Sequence, residues 1–241
     1  MNRETISSFT RAARRLRAGA AAAIALAGLL GLGATPAAAQ STGTITGVIT
    51  TSARAPRPIR VTIDQRVCGA TLPDQSIVVD GAGHVKNAVV VLTGVKGGAL
   101  PEPTITNEKC AFVPRVQVTR PDTKVRTTSK DPVLHTTNAF DESGAQIFNL
   151  GLPVPGMSIA RPIGGKGVVR IACNTHPWML GWVVVTDEMA AVTAADGTFT
   201  LTGVPPGTYE LRVWHESLKG APQKVTVKAG ATATANFTLA P

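Results

Sequence analysis

Lys166-Gly167-Val168-Val169-Arg170-Ile171-Ala172-Cys173 runs directly into Asn174-Thr175-His176-Pro177-Trp178-Met179, and shortly afterwards into Trp182-Val183-Val184-Val185. Val169, Ile171 and Cys173 alternate with Arg170 and Ala172, the period of a strand with one apolar face. Asn174, Thr175 and Pro177 are turn formers. Trp182 to Val185 reads as the next strand. One short loop between two strands thus carries a thiol, an imidazole and a thioether at Cys173, His176 and Met179. A second imidazole, His135, lies upstream in Asp131-Pro132-Val133-Leu134-His135. It must come from another loop that folding brings alongside.

Two imidazoles, one thiolate and one weak thioether are the donors of a blue-copper electron-transfer site. Sulfur suits Cu(I) and imidazole suits both oxidation states, so one cage can hold copper through its cycle. Two blander readings compete. Cys-x-x-His can be half of a zinc site, but structural zinc wants four N/S ligands and has little use for Met. Cys173 can also be a buried hydrophobe beside an incidental His.

Residues 105–187 resemble the cupredoxins, amicyanins most of all. Those proteins share the loop Cys-x-x-His-Pro-aromatic-Met and the following hydrophobic strand. They also share an upstream Pro and ligand His with an aromatic soon after, here Pro132-Val133-Leu134-His135-Thr136-Thr137-Asn138-Ala139-Phe140. The resemblance implies one copper per chain, cycling between Cu(II) and Cu(I), with His135, Cys173, His176 and Met179 as ligands. It also implies that the second ligand His, His176, lies near the surface as the electron port, with Pro132, Val133, Pro177 and Trp178 supplying an apolar patch. Two departures stand out. Cupredoxins usually have Asn after the first ligand His, bracing the two ligand loops, where this chain has Thr136. The strand Lys124 to Ser129 lacks the usual aromatic.

Outward from this loop, the rest of the chain is rich in Val, Thr, Gly and Pro with period-two alternation, so the fold class is all-β. Gly43-Thr44-Ile45-Thr46-Gly47-Val48 opens the first strand. Arg60 to Ile63, Ile77 to Val79 and Asn87 to Leu92 read as further strands, and Lys96 to Pro103 as a linker. Near the C-terminus, Asp196-Gly197-Thr198-Phe199-Thr200-Leu201 enters a strand. Val204-Pro205-Pro206-Gly207-Thr208-Tyr209 is a turn of type II character. This segment, with the Gly43 to Val48 opening and the Asn87 to Leu92 strand, resembles the carboxypeptidase regulatory-like domain, a transthyretin-like β-sandwich without catalytic residues. About fifty C-terminal residues alone bury a poor core. The expectation is therefore a discontinuous sandwich of residues 41–100 and 190–241, with the cupredoxin-like domain 105–187 inserted. Two consecutive domains with an N-terminal extension are the alternative.

Residues 1–39 read as a secretory signal. Arg11, Arg14, Arg15 and Arg17 precede an Ala/Leu/Gly run from Ala18 to Gly33, and Ala37-Ala38-Ala39 is an A-x-A cleavage site. The run is short and Gly-rich for a membrane anchor, and the style of the signal points to a bacterial periplasm. Cleavage leaves roughly 200 residues, enough for one large or two small domains. It removes five basic residues and Glu4, so the net charge falls from +9 to about +5. The basic residues are scattered, which argues against nucleic acid and for steering an acidic protein partner. Three Cys is an odd count for an exported chain. With Cys173 on the metal, Cys68 and Cys110 are left to pair or to stand as buried thiols. Paired, they would close a loop of about 42 residues and stabilise by about 4 kcal/mol.

Neither a Ser/His/Asp triad nor a phosphate loop nor a dinucleotide motif occurs, and the chain does not read as an enzyme. His84 and His215 read as ordinary polar residues. Three functions compete: an electron shuttle between redox proteins such as a dehydrogenase and a cytochrome, a copper storage or delivery module, and a structural protein with a vestigial loop. Oxidase chemistry ranks below them, because only one metal site is visible.

Overall fold

A computed structural model describes residues 41–100 and 102–241; the proposed signal lies outside the described residues. The all-β expectation holds. The described chain is strands and turns with one four-residue helix, Gln65–Cys68. Among the described residues no helix is long and apolar enough to cross a membrane.

The strands form two β-sandwiches. In the first, Gly43–Thr51 pairs antiparallel with Thr198–Val204 and parallel with Thr232–Thr234 and Phe237–Leu239. Its burial alternates strictly, with Ile45 and Ile49 pointing inward. Gly47 stands where this strand's parallel partner changes from one short strand to the next. A Cβ there would run into the Ala235 carbonyl, so only glycine lets the backbones approach. The facing sheet orders Glu188–Val192, Val89–Lys96, Gly207–Trp214 and Gln223–Val227. Val90, Leu92, Phe199, Leu201, Leu211 and Phe237 fill the space between the sheets.

The second sandwich has a sheet of Ser158–Pro162, Lys124–Ser129, Thr104–Glu108 and Ala111–Val113. Opposite it lie Gln146–Leu152, His135–Phe140, Gly167–Ala172, Leu180–Val185 and Val116–Thr119. Ile105, Phe112, Val125, Phe148, Ile171 and Val183 pack between them, and Cys173 and Met179 belong to the same cluster. The alternation expected for Val169, Ile171 and Cys173 is observed, with all three buried.

One segment departs from its expected neighbourhood. Residues 59–72 lie between strands of the first sandwich in sequence, yet Val61, Cys68 and Leu72 pack into the core of the second. Arg60 to Ile63 is not a continuous strand. Only Ile59–Arg60 is, paired with Thr71–Leu72 in a short hairpin that carries the helix at its tip. The Cys68–Cys110 disulfide, with Cα atoms 5.3 Å apart, ties this hairpin down.

The two sandwiches meet face to face. Val89, Val116 and Val184 form a small core of their own, flanked by Trp182 and Trp214 stacked edge-on at 5.6 Å. Arg120 donates to the carbonyls of Gly98, Thr186 and Glu188, pinning both crossings between the sandwiches. Arg115 makes a two-pronged ion pair with Glu216, at 2.6 and 2.8 Å, and donates to the Leu180 carbonyl at 3.0 Å. Both side chains of the pair are nearly buried, at 8% and 5% exposure. Glu216→Ala strands the guanidinium in this interface and should cost about 3–5 kcal/mol, whereas Arg115→Met with Glu216→Leu should recover most of it. Urea unfolding of the two variants checks the contrast.

Candidate metal centre

The site is built by two ends of one sheet. His135 opens the strand His135–Phe140, and Cys173 follows the strand Gly167–Ala172. These strands are antiparallel neighbours, with Asn138 opposite Ala172, so their site ends lie side by side. The Cys173–Met179 loop is closed by its own backbone. Met179 N–H donates to the His176 carbonyl at 2.9 Å, and Cys173 N–H donates to the Met179 carbonyl at 3.3 Å.

This folding brings His135, Cys173 and His176 together. One donor atom from each lies within 4.8 Å of the other two, and all three residues are buried. Cys173 Sγ is 3.7 Å from His176 Nδ1. A thiolate bond of about 2.3 Å and an imidazole bond of about 2.0 Å, opened to tetrahedral or trigonal angles, span roughly that gap. Met179 is 1% exposed in the same core cluster, on the loop that carries the other two donors.

The imidazoles arrive with their tautomers set. His135 Nε2–H donates to Asp131 Oδ2 at 2.9 Å, and His176 Nε2–H donates to Asp64 Oδ2 at 3.0 Å. A carboxylate only accepts, so each ring keeps its proton on Nε2 and its lone pair on Nδ1. His135 Nδ1 is buried without any hydrogen-bond partner. An orphaned lone pair of this kind, facing a thiol and a second imidazole, fits a metal ion. Asp131 is itself held, by the N–H groups of Lys109 and Cys110 at 2.8 Å each. Both of those residues are in the left-handed conformation, which aims their N–H groups at one carboxylate.

Thr136 does the bracing that Asn does in the family resembled. Its Oγ1 accepts the Asn174 N–H at 2.7 Å, joining the two ligand loops, and its backbone N–H reaches Cys173 Sγ at 3.4 Å. Asn138 adds a side-chain bond to Asn174 at 3.2 Å.

Electrostatics favour a thiolate. Burial pushes the Cys173 thiol up, but His135, the Thr136 N–H and His176 outweigh it and bring the pKa down to about 5. Burial pushes His135 down, and the facing Cys173 and Asp131 overcome this and leave it raised. At neutral pH the metal-free protein therefore holds Cys173 as a thiolate, which is the ligand form of the sulfur.

The expected surface edge of His176 is not there: the residue is fully buried and its Nε2 faces Asp64. Of the expected patch, Pro132 and Pro177 are exposed, while Val133 and Trp178 are half-buried. Trp178 Nε1–H donates to the Cys110 carbonyl at 3.2 Å, and its ring lies 5.2 Å from that of His176. Asp64 and Asp131 were not singled out from sequence. Asp131 had a signal in the Asp-x-x-x-His spacing; Asp64 had none. His215 and His84 stay outside the site. His215 Nδ1 accepts from Ser217 and Leu218, and His84 pairs with Asp80.

Comparison with known proteins touches each half separately. The carboxypeptidase regulatory-like domain matches residues 182–240. The strand Gly43–Thr51, which pairs with that segment, lies outside the match. The probable rhamnogalacturonate lyases A of Aspergillus clavatus and Neosartorya fischeri are 35% and 34% identical over 80 and 72 residues, covering 32% and 30% of this chain. The chain spans only 15% and 14% of the length of those relatives. Among solved structures, a purple cupredoxin from Nitrosopumilus maritimus aligns with 26% identity and a TM-score of 0.31, over 35% of this chain and all of its own. A reduced amicyanin variant aligns with 13% identity and a TM-score of 0.32, over 40% of this chain and 98% of its own.

Cys173 gives the metal-free protein a pH signature. A depressed thiol pKa stabilises the fold fully above the ordinary thiol value, and the contribution is lost as pH falls through about 5. The raised His135 works in the opposite sense, its contribution fading as pH rises through its shifted value. Thiolate ultraviolet absorbance of metal-free protein should therefore persist to near pH 5 and be absent from Cys173→Ala.

Proposed function

We propose that this chain is an exported copper protein that carries single electrons between redox proteins. His135 and His176 through Nδ1, Cys173 through its thiolate and Met179 through its thioether would hold one copper ion. That ion supplies one-electron chemistry by alternating between Cu(II) and Cu(I). The observation that carries this reading is the buried, unpartnered Nδ1 of His135 beside Cys173 and His176. A hydrogen-bonded core histidine would have both nitrogens satisfied.

The chain's own residues do the rest. Asp131 and Thr136 hold the donors at fixed positions, so little reorganises when one electron arrives or leaves. The burial of His135, Cys173, His176 and Met179 excludes water and favours retention of the ion over its delivery. This is the ground for ranking the shuttle above copper storage or transfer. We assign no catalytic turnover to the chain. Residues 1–39 direct it to the periplasm, where a dehydrogenase or cytochrome type of partner would meet the exposed rim around Pro132 and Pro177. The sandwich formed by the chain ends serves as a docking scaffold, with the domain 105–187 inserted within it.

Copper-loaded protein should show an intense thiolate-to-Cu(II) absorption and a reversible one-electron couple. Cys173→Ser should abolish the band, because a Ser oxygen lacks the donor orbital. Met179→Leu should keep copper and raise the reduction potential, because losing a weak sulfur donor disfavours Cu(II) more than Cu(I). Absorption, EPR and voltammetry of the three proteins decide it. Loaded wild type without a reversible couple would move the assignment to copper storage or delivery.

A further inference from the structure

Asp64 reaches the centre from the wrong side of the molecule. It is 112 residues from His176 in sequence and belongs to the hairpin that leaves the first sandwich. Its backbone is left-handed, with φ 51°, and its side chain makes no cap bond to the helix that follows. The carboxylate is turned away from that helix and accepts from His176 Nε2–H instead. The turn is closed locally by Val61 N–H to the Ala70 carbonyl and Gln65 Nε2 to the Val61 carbonyl. It is closed over distance by Cys68–Cys110. Cys110 also donates its N–H to Asp131, the carboxylate that holds the other imidazole. Two turns stapled together by one disulfide thus hold the two histidines.

We propose that Asp64 is a positioning residue of the copper centre: it fixes His176 as an Nδ1 ligand, closes the imidazole edge and lowers the reduction potential. This rests on the copper reading above. An acceptor on Nε2–H makes the ring a better donor and fixes its orientation. A negative charge beyond the ring stabilises Cu(II) more than Cu(I), because the oxidised ion carries one more positive charge. The two effects separate by substitution. Asparagine retains an oxygen acceptor for Nε2–H and loses the charge. Alanine loses both and opens the edge. Asp64 is 39% exposed at its side chain, so neither change digs into the core.

The test uses full-length wild type, Asp64→Asn and Asp64→Ala, each loaded with copper and each metal-free. Asp64→Ala should lower Cu(II) affinity about 10- to 100-fold in chelator competition. It should also admit azide to the copper, seen as a new absorption band. Asp64→Asn should keep most of the affinity and still raise the reduction potential. In the metal-free proteins, nitrogen NMR should show a fixed Nε2 proton on His176 in wild type and not in Asp64→Ala. Wild-type potential, affinity and azide exclusion in both variants would reduce Asp64 to an incidental surface contact and overturn this inference alone. Wild type that takes up no copper would overturn the inference together with the reading it rests on.

Discussion

Asp131 is the constraint on which the candidate centre hangs. A carboxylate 6% exposed is costly to bury unless its oxygens are satisfied. Here they take two backbone N–H groups and one imidazole N–H, all at 2.8 to 2.9 Å. The backbone donors come from the left-handed pair Lys109 and Cys110, at the turn between Thr104–Glu108 and Ala111–Val113. That turn is held by the disulfide on one side and by Trp178 on the Cys110 carbonyl on the other. Removing the acceptor would free His135 to rotate and leave its Nδ1 without a defined direction. The position of one imidazole therefore depends on a turn in the opposite sheet.

Short-range pattern made the candidate donors legible. Cys173, His176 and Met179 sit on one loop, and the period-two run into Cys173 is visible without any structure. His135 was legible because a ligand set with one imidazole and one thiolate is incomplete. The carboxylates were not, since nothing local demands them. Asp64 needs a hairpin to cross between sandwiches, and that crossing is decided by where Val61, Cys68 and Leu72 find apolar cover. The same limit explains why Arg60 to Ile63 was read as a strand. Its polar–apolar alternation exists in the sequence only: Val61 is buried as part of a cap rather than of a sheet, and Ile63 is 41% exposed.

Thr136 illustrates a different limit. Read against the family it resembles, it is a missing brace. In the structure a hydroxyl does the work of an amide, because Oγ1 lies 2.7 Å from the Asn174 N–H. What the loops require is an acceptor at that point, and residue identity is a poor guide to it. Asn138 and Asn174 then add a second tie one pleat further along the sheet.

The entanglement of the two sandwiches has a consequence for how such a centre is held. Gly43–Thr51 finds its partners near the C-terminus, and the intervening chain supplies both the metal-donor sandwich and its cap. Neither sandwich can open freely without pulling on the other, because Arg115–Glu216, the Arg120 fan and the stapled hairpin all join them. His176 is the second imidazole of the proposed centre, and its Nε2 edge faces Asp64. Here that edge is covered by chain that belongs, in sequence, to the other sandwich. Coverage trades direct contact at His176 for a better-held ring, while the rim beside His135, at Pro132, stays exposed. Exposed Leu134, at 48%, lies next to His135 on that rim. The first sandwich is thus more than a tether: the segment its sequence lends covers the His176 edge of the proposed centre.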